Sequence, residues 1–243
     1  MSFFARAIRR LFPLALLVLA PLAPAGEIDL RAPDEIVELL TPFLPDETAP
    51  GAGGQARLQR LVRQILETEG YFSPQIEFVD SDNAVHLTVD PGPRTLIAAV
   101  AVAVDGPVAA KTRQELIAGW ELPVGQPFRQ QDWNSAKQQI LSRLLAENHA
   151  AARLLDSQAT IDPATREARL MARYDSGPPF RFGELRVEGL ERYPVTLVER
   201  HNRTVRPGEP YREADLNALQ TALQATPQFR SVHVSIDRDA PPD

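Results

Sequence analysis

Residues 104–134 read VDGPVAAKTRQELIAGWELPVGQPFRQQDWN, and residues 187–217 read VEGLERYPVTLVERHNRTVRPGEPYREADLN. The two stretches align at a constant offset of 83 residues with no insertion. Val104-Asp105-Gly106 meets Val187-Glu188-Gly189, Gly125-Gln126-Pro127-Phe128 meets Gly208-Glu209-Pro210-Tyr211, and Asp132-Trp133-Asn134 meets Asp215-Leu216-Asn217. Chance rarely keeps one register through three separate landmarks. A fainter earlier copy shows in Pro91-Gly92-Pro93, which precedes a strand pattern as Ser176-Gly177-Pro178 does. The chain is therefore a tandem array of units of ~80 residues.

The periodicities around these landmarks give each unit the order β-α-α-β-β. In the second unit the apolar run Ile97 to Val104 fits a buried strand ended by Asp105-Gly106-Pro107. A helix is expected over Ala110 to Trp120, with Leu116, Ile117 and Trp120 on one face. After a Pro/Gly-stiffened loop from Leu122 to Phe128, Asp132 is placed to cap a helix carrying Trp133, Ala136, Ile140, Leu141, Leu144 and Leu145. Two extended runs then flank Asp162-Pro163-Ala164-Thr165, the second alternating as Ala168, Leu170, Ala172 and Tyr174.

The first unit repeats the order. A strand at Ile28 to Leu30, a helix at Asp34 to Leu44 and a Gly-rich link at Pro50 to Gly54 lead to a helix with Leu58, Leu61, Val62, Ile65 and Leu66 on one face. Alternating strands follow, with Ile76 and Phe78 inward in one and Val85, Leu87 and Val89 in the other, joined at Ser81-Asp82-Asn83. The third unit runs through a strand at Phe182 to Val187, helices at Val195 to His201 and Glu213 to Ala225, and a strand holding Val232, Val234 and Ile236. By this count it lacks the final strand of the pattern, and it is expected to be the least stable of the three.

Composition narrows the function. The 243 residues are 44% hydrophobic and 24% charged, an ordinary globular balance. The absence of Cys excludes disulfides and thiolate chemistry, and the four His, at 86, 149, 201 and 233, stand at no metal-ligand spacing. A formal charge of -6 argues against nucleic acid as a partner. At the N-terminus Arg6, Arg9 and Arg10 precede an apolar run from Leu11 to Leu22 and the triplet Ala23-Pro24-Ala25, which is a signal-peptide pattern. The run is interrupted by Pro13 and Pro21 and falls short of the ~20 apolar residues a spanning helix needs. Cleavage after Ala25 leaves 218 residues with a net charge of -9.

No catalytic constellation emerges. Ser135, His149 and Asp156 can be written as a triad, but no nucleophile turn surrounds the Ser. GxGxxG, P-loop and HExxH motifs are absent, and no cofactor is expected. Asp80, Asp82 and Asp90 cluster in the first hairpin without the Gly and terminal Glu of a calcium loop, so they read as a solvated turn. The repeated Gly-x-Pro-aromatic loop is expected to pack, its Pro stiffening the turn and its ring plugging the unit's core. The Arg residues at 181, 186, 192, 200, 203, 206 and 212 are interspersed with acids, as on a solvated face. The feature that points to function is the open edge of a three-stranded sheet, which can accept a partner's strand. Gln75 to Asp80, with Gln75, Ile76, Glu77 and Phe78 alternating, is the leading candidate; its charges equally serve to keep an edge from aggregating.

Tandem β-α-α-β-β units behind a signal peptide resemble the polypeptide-transport-associated (POTRA) domains of the Omp85 superfamily of outer-membrane assembly proteins. Glu69-Gly70-Tyr71-Phe72-Ser73-Pro74, Leu122 to Lys137, and Asp175 to Gly183 are similar to the TamA branch of that superfamily. The resemblance implies an α+β fold of tandem POTRA-like units, each a three-stranded mixed sheet with two helices on one face. It divides the chain into a signal peptide (1–25) and POTRA-like domains at 26–94, 95–178 and 179–243. It further implies a periplasmic, non-enzymatic docking role, with a TamB-like subunit or unfolded outer-membrane proteins as partners. Outer-membrane association follows only where a barrel does, and this sequence contains none. Alternatives are the periplasmic arm of a two-partner secretion transporter or of a barrel-assembly factor and, from another class, a periplasmic hydrolase or ligand-binding protein. Shape separates the classes: small-angle scattering should give the tandem array a radius of gyration well above the ~18 Å of a compact 218-residue protein.

Overall fold

The computed structural model of the chain describes residues 26–45, 47–48, 52–80 and 84–237. The signal-peptide reading and the Ser81-Asp82-Asn83 turn lie outside them. Three hydrophobic clusters follow one another along the described chain, built around Leu40, Val62 and Leu87, around Ile97, Ile140 and Leu170, and around Phe182, Leu219 and Leu223.

The first cluster lies between a sheet and two helices. Strand β1 (Gly26–Arg31), helix α1 (Asp34–Leu40), a 3-10 turn (Thr41–Phe43), strand β2 (Glu47–Thr48), helix α2 (Ala52–Thr68), and strands β3 (Gln75–Asp80) and β4 (Ala84–Asp90) run in that order. The sheet order is β2-β1-β4-β3, with β1 parallel to β4 and β3 antiparallel to it. Period-two alternation buries Val85, Leu87 and Val89, the last two in the cluster shared with the helices. Burying an aliphatic side chain of this size stabilises by roughly 1.5–3 kcal/mol. Two details differ from the expectation. The two-residue β2 pairs antiparallel with β1 and makes a fourth strand. Helix α2 starts at Ala52, so Gly53 and Gly54 lie inside its first turn rather than in a link.

The second cluster repeats this plan with strand β5 (Leu96–Asp105), helices α3 (Ala110–Ala118) and α4 (Gln130–Ala146), and strands β6 (Arg153–Asp162) and β7 (Glu167–Asp175). The sheet order β5-β7-β6 places the last strand in the centre, parallel to β5 and antiparallel to β6. Ala168, Leu170, Ala172 and Tyr174 are buried as the alternation predicts. Trp133, Ala136, Ile140 and Leu144 face them from α4. The Tyr174 hydroxyl donates to the Lys137 carbonyl at 3.0 Å, and burial pushes its pKa up to about 12.

Three expectations for this unit are corrected. The run Ile97 to Val104 is an edge strand, not a buried one, and Ala98, Ala99, Ala101 and Ala103 are exposed. Side chains that small make the sequence look uniformly apolar while adding little water-exposed area. Helix α3 ends at Ala118, which leaves Ile117 exposed. Trp120 lies beyond the helix, donates its indole N–H to the Leu122 carbonyl at 2.8 Å, and meets the Trp133 ring edge-on. Asp132 does not cap α4: the helix starts two residues earlier, after an extended Arg129, and Asp132 lies in the first turn, where a negative charge favours the helix N-terminus.

In the third unit, helices α5 (Thr196–His201) and α6 (Glu213–Gln224) form as expected. The segments expected as strands, 182–187 and 232–236, carry no regular secondary structure, and their apolar residues pack on the third cluster. Neither belongs to a sheet ladder among the described residues. The topology explains this, because in both preceding units the first and penultimate strands bond to the last strand and not to each other.

Asp175 closes β7. Its carboxylate accepts the Gly177 N–H at 3.0 Å and pairs with Arg153 at 3.1 Å, and these contacts, the Gly177 bond first, hold it below the usual carboxylate range. A lowered folded-state pKa contributes stability that is complete above the unfolded value of ~3.9 and is lost as pH falls through the folded one. Asp175→Asn should therefore melt below the wild type at pH 7, and circular-dichroism melts should show the gap closing towards pH 3.

Candidate functional site: open sheet edges and the joints between units

Strand β3 occupies an edge of the first sheet, so its far side meets no other strand among the described residues. Its register with β4 runs from Gln75 opposite Asp90 to Asp80 opposite Val85. Ile76 and Phe78 turn inward onto the first cluster, while Gln75 and Glu77 are exposed. The structure thus brings all four candidate residues to one free edge. Val79 is added to that outer face, 61% exposed. The alternation that turns Ile76 and Phe78 inward already places Val79 outward, so period-two counting carried one step further would have found it.

Strand β5 is a second open edge and carries no charged residue or Pro from Leu96 to Val104. Charged side chains and Pro, two of the devices that blunt an edge, are thus missing there, although a register shift between Ile97 and Ala99 interrupts the pairing with β7. Its start is covered locally, because Leu96 bridges Pro127 and the Ile97 N–H donates to the Gln126 carbonyl at 2.8 Å. Strand β6 is the opposite edge of that sheet. A register shift between Leu154 and Asp156 leaves Leu155 44% exposed there.

The repeated Gly-x-Pro-aromatic loop lies where one unit meets the next, and it makes the same hydrogen bonds twice. At the first joint the Thr95 N–H donates to the Gly70 carbonyl at 2.9 Å, the Phe128 N–H to Thr95 at 2.8 Å, and the Gly125 N–H to Ile97 at 2.8 Å. At the second joint the Phe180 N–H donates to Asn148 at 2.6 Å, the Tyr211 N–H to Phe180 at 3.0 Å, and the Gly208 N–H to Phe182 at 2.7 Å. Phe128 and Tyr211 are buried, as expected of plugs. Phe128 also reaches across the joint, where its ring meets Phe72 of the preceding unit at a tilt of 45° with ring centres 5.9 Å apart. An ion pair also repeats, Arg129 with Glu69 at 2.7 Å and Arg212 with Glu147 at 3.7 Å.

Both joints turn on a residue with positive φ just after the second helix, Gly70 at 91° and Asn148 at 60°. Glycine takes this conformation freely and Asn tolerates it. A side chain at position 70 would also overlap the Phe128 carbonyl oxygen.

The other candidates do not assemble. The His149 Nδ1 is buried without a hydrogen-bond partner, so neither Ser135 nor Asp156 bonds it there. Asp90 accepts the Gly92 N–H at 3.0 Å within its own turn. Among the described residues there is no cluster of potential metal ligands and no helix long and apolar enough to cross a membrane. Of the Arg row, Arg181 donates to the Gly208 carbonyl and Arg212 pairs with Glu147, while Arg200 and Arg203 line an open groove between α5 and α6.

No protein-family model matches the chain. The chain is similar to the solved POTRA3-5 of BamA from Haemophilus influenzae, with a TM-score of 0.52 and 17% identity over 92% of this chain and 95% of that one. POTRA1-3 of Omp85 from Anabaena aligns with a TM-score of 0.40 and 13% identity over 87% of this chain and 88% of that one. CdiB from Escherichia coli aligns over 66% of this chain and 28% of its own length, with a TM-score of 0.30 and 13% identity. The match to the BamA segment establishes the POTRA fold.

Gly70→Ala should cost about 1–2 kcal/mol through backbone strain alone, with further loss from the displaced Phe128 carbonyl. Thermal melts should fall accordingly, and hydrogen exchange should quicken at the Thr95 and Phe128 amides. Asn148→Gly, which keeps the positive φ, should change stability by less than about 1 kcal/mol.

Proposed function

We propose that the chain is a periplasmic POTRA-domain module of an outer-membrane protein assembly factor, a docking part and not an enzyme. The observation that supports this best is the POTRA fold, carried by a match over 92% of the chain. The proposal includes the unit boundaries, 26–94, 95–178 and 179–243, and a place in the TamA branch, which rests on the Glu69 to Pro74, Leu122 to Lys137 and Asp175 to Gly183 stretches. On this reading the partners are a TamB-like subunit or unfolded outer-membrane proteins.

The mechanism is strand addition at β3. A partner strand laid along Gln75, Ile76, Glu77 and Phe78 would satisfy the free backbone groups of the edge, and Val79 would offer an apolar contact beside it. Charge favours a partner with basic flanks, because Glu77 and Asp80 lie on this strand.

Site-specific photo-crosslinking tests the reading. A crosslinker at Glu77 or Val79 should capture a TamB-like subunit or an unfolded barrel protein, while one at the exposed Gln138 on α4 should not. Equal capture at both places, or at neither, would count against β3 as the docking edge.

A further inference from the structure

Strand β5 differs from the other open edges in its chemistry. Strand β3 carries Glu77 and Asp80, and β6 carries Asp156 and Asp162, whereas β5 has no charged side chain before Asp105. Asp105 itself is paired with Arg173 at 2.6 Å. In a chain of formal charge -6, contact between two copies is favoured where no like charges meet. The stretch Ala99-Val100-Ala101-Val102-Ala103 also reads the same in both directions.

The backbone of that stretch presents its free groups symmetrically. Past the register shift, the pairing of β5 with β7 runs unbroken from Ala99 to Asp105. The Ser176 N–H donates to the Asp105 carbonyl at 3.0 Å, so Asp105 turns its backbone groups to β7. Alternation then turns those of Val104, Val102 and Val100 outward, where no strand lies among the described residues. The side chains of the same valines lie on the helix side, Val104 buried and Val100 and Val102 half-buried in the second cluster, while Ala99, Ala101 and Ala103 are exposed. The Gly-x-Pro-aromatic loop bonds the outer side at Thr95 and Ile97, short of this stretch.

We propose that β5 pairs with β5 of a second copy of this chain, antiparallel about a two-fold axis through Ala101. Two three-stranded sheets thereby join into one of six strands, in the order β6-β7-β5-β5-β7-β6. Val100 meets the partner's Val102, and because both turn their backbone groups outward the two residues exchange both N–H···O=C bonds. Ala101 meets its own copy at the axis as a non-hydrogen-bonded pair, where Cα atoms approach to ~4.5 Å and only small side chains fit without strain. Ala99 meets the partner's Ala103 in the same way. The contact is isologous and closes at two copies, and the half-buried valines lose their remaining exposure to one another. The inference rests on β5 alone and not on the docking role proposed for β3.

The chain has no Cys, so a single introduced thiol reads the register. Ala101→Cys should give a disulfide-linked dimer under mild oxidation, because a Cα separation of ~4.5 Å suits the bond. Ala103→Cys alone should stay monomeric, yet it should crosslink when mixed with Ala99→Cys. Sedimentation velocity on the whole chain should show a monomer–dimer equilibrium with a Kd on the order of 10–100 µM, as befits a small interface. Ala101→Lys and Ala101→Glu should each weaken it at least tenfold by setting like charges on the axis, and an equal mixture of the two should restore it. That restoration separates a lost contact from a lost fold. A chain that stays monomeric throughout, equal crosslinking of Ala101→Cys and Ala103→Cys, or association unchanged by Ala101→Lys each overturns the proposal.

Discussion

The hydrogen bond from the Thr95 amide to the Gly70 carbonyl, copied from Phe180 to Asn148, is the contact on which the rest of the chain depends. It ties the start of one unit's first strand to the end of the preceding unit's second helix. The Gly-x-Pro-aromatic loop then closes on the same strand, and its aromatic ring seals the core beneath. Arg129 and Arg212, the residues just after the aromatics, pair with acids of the previous unit and stand extended before α4 and α6. The helix start is thereby set by the joint, which is why no side-chain cap is found at either helix. One repeated loop organises strand entry, core closure and helix entry together.

Topology decides what each unit leaves open. With the last strand central, the first and penultimate strands flank it, so that β3, β5 and β6 are sheet edges while β2 covers β1. In the first unit this exposes β3, with Glu77 on its surface; in the second it exposes β5, an apolar strand faced with alanines. In the third unit the corresponding segments, 182–187 and 232–236, belong to no ladder among the described residues. The difference between the units lies in backbone pairing. The apolar faces follow one pattern throughout.

Much of this was legible in side-chain periodicity. The alternation of Ala168, Leu170, Ala172 and Tyr174 and the helical spacing of Leu58, Val62 and Leu66 placed strands and helices because burial repeats every two or 3.6 residues. Gln75 to Phe78 was legible as a strand with two faces, and its edge position agrees with the sheet order. Ile97 to Val104 was misread as buried because alanine is apolar enough to sustain a run yet small enough to expose. Asp132 looked like a cap because cap residues are recognised by type, whereas the true start followed from the pairing of Arg129 with Glu69, 60 residues away.

The sequence by itself determined the repeat, its period and the β-α-α-β-β order, because these are written in the spacing of apolar residues and turn formers along one chain. It also determined that the Gly-x-Pro-aromatic loop would pack. Only the tertiary structure decided what that loop packs against, which strands become edges, and which segments remain without a ladder. Those outcomes depend on which backbone N–H meets which carbonyl far along the chain, as when Thr95 meets Gly70 and Ser176 meets Asp105. Every non-proline residue carries the same donor and acceptor, so the choice leaves no mark in residue type.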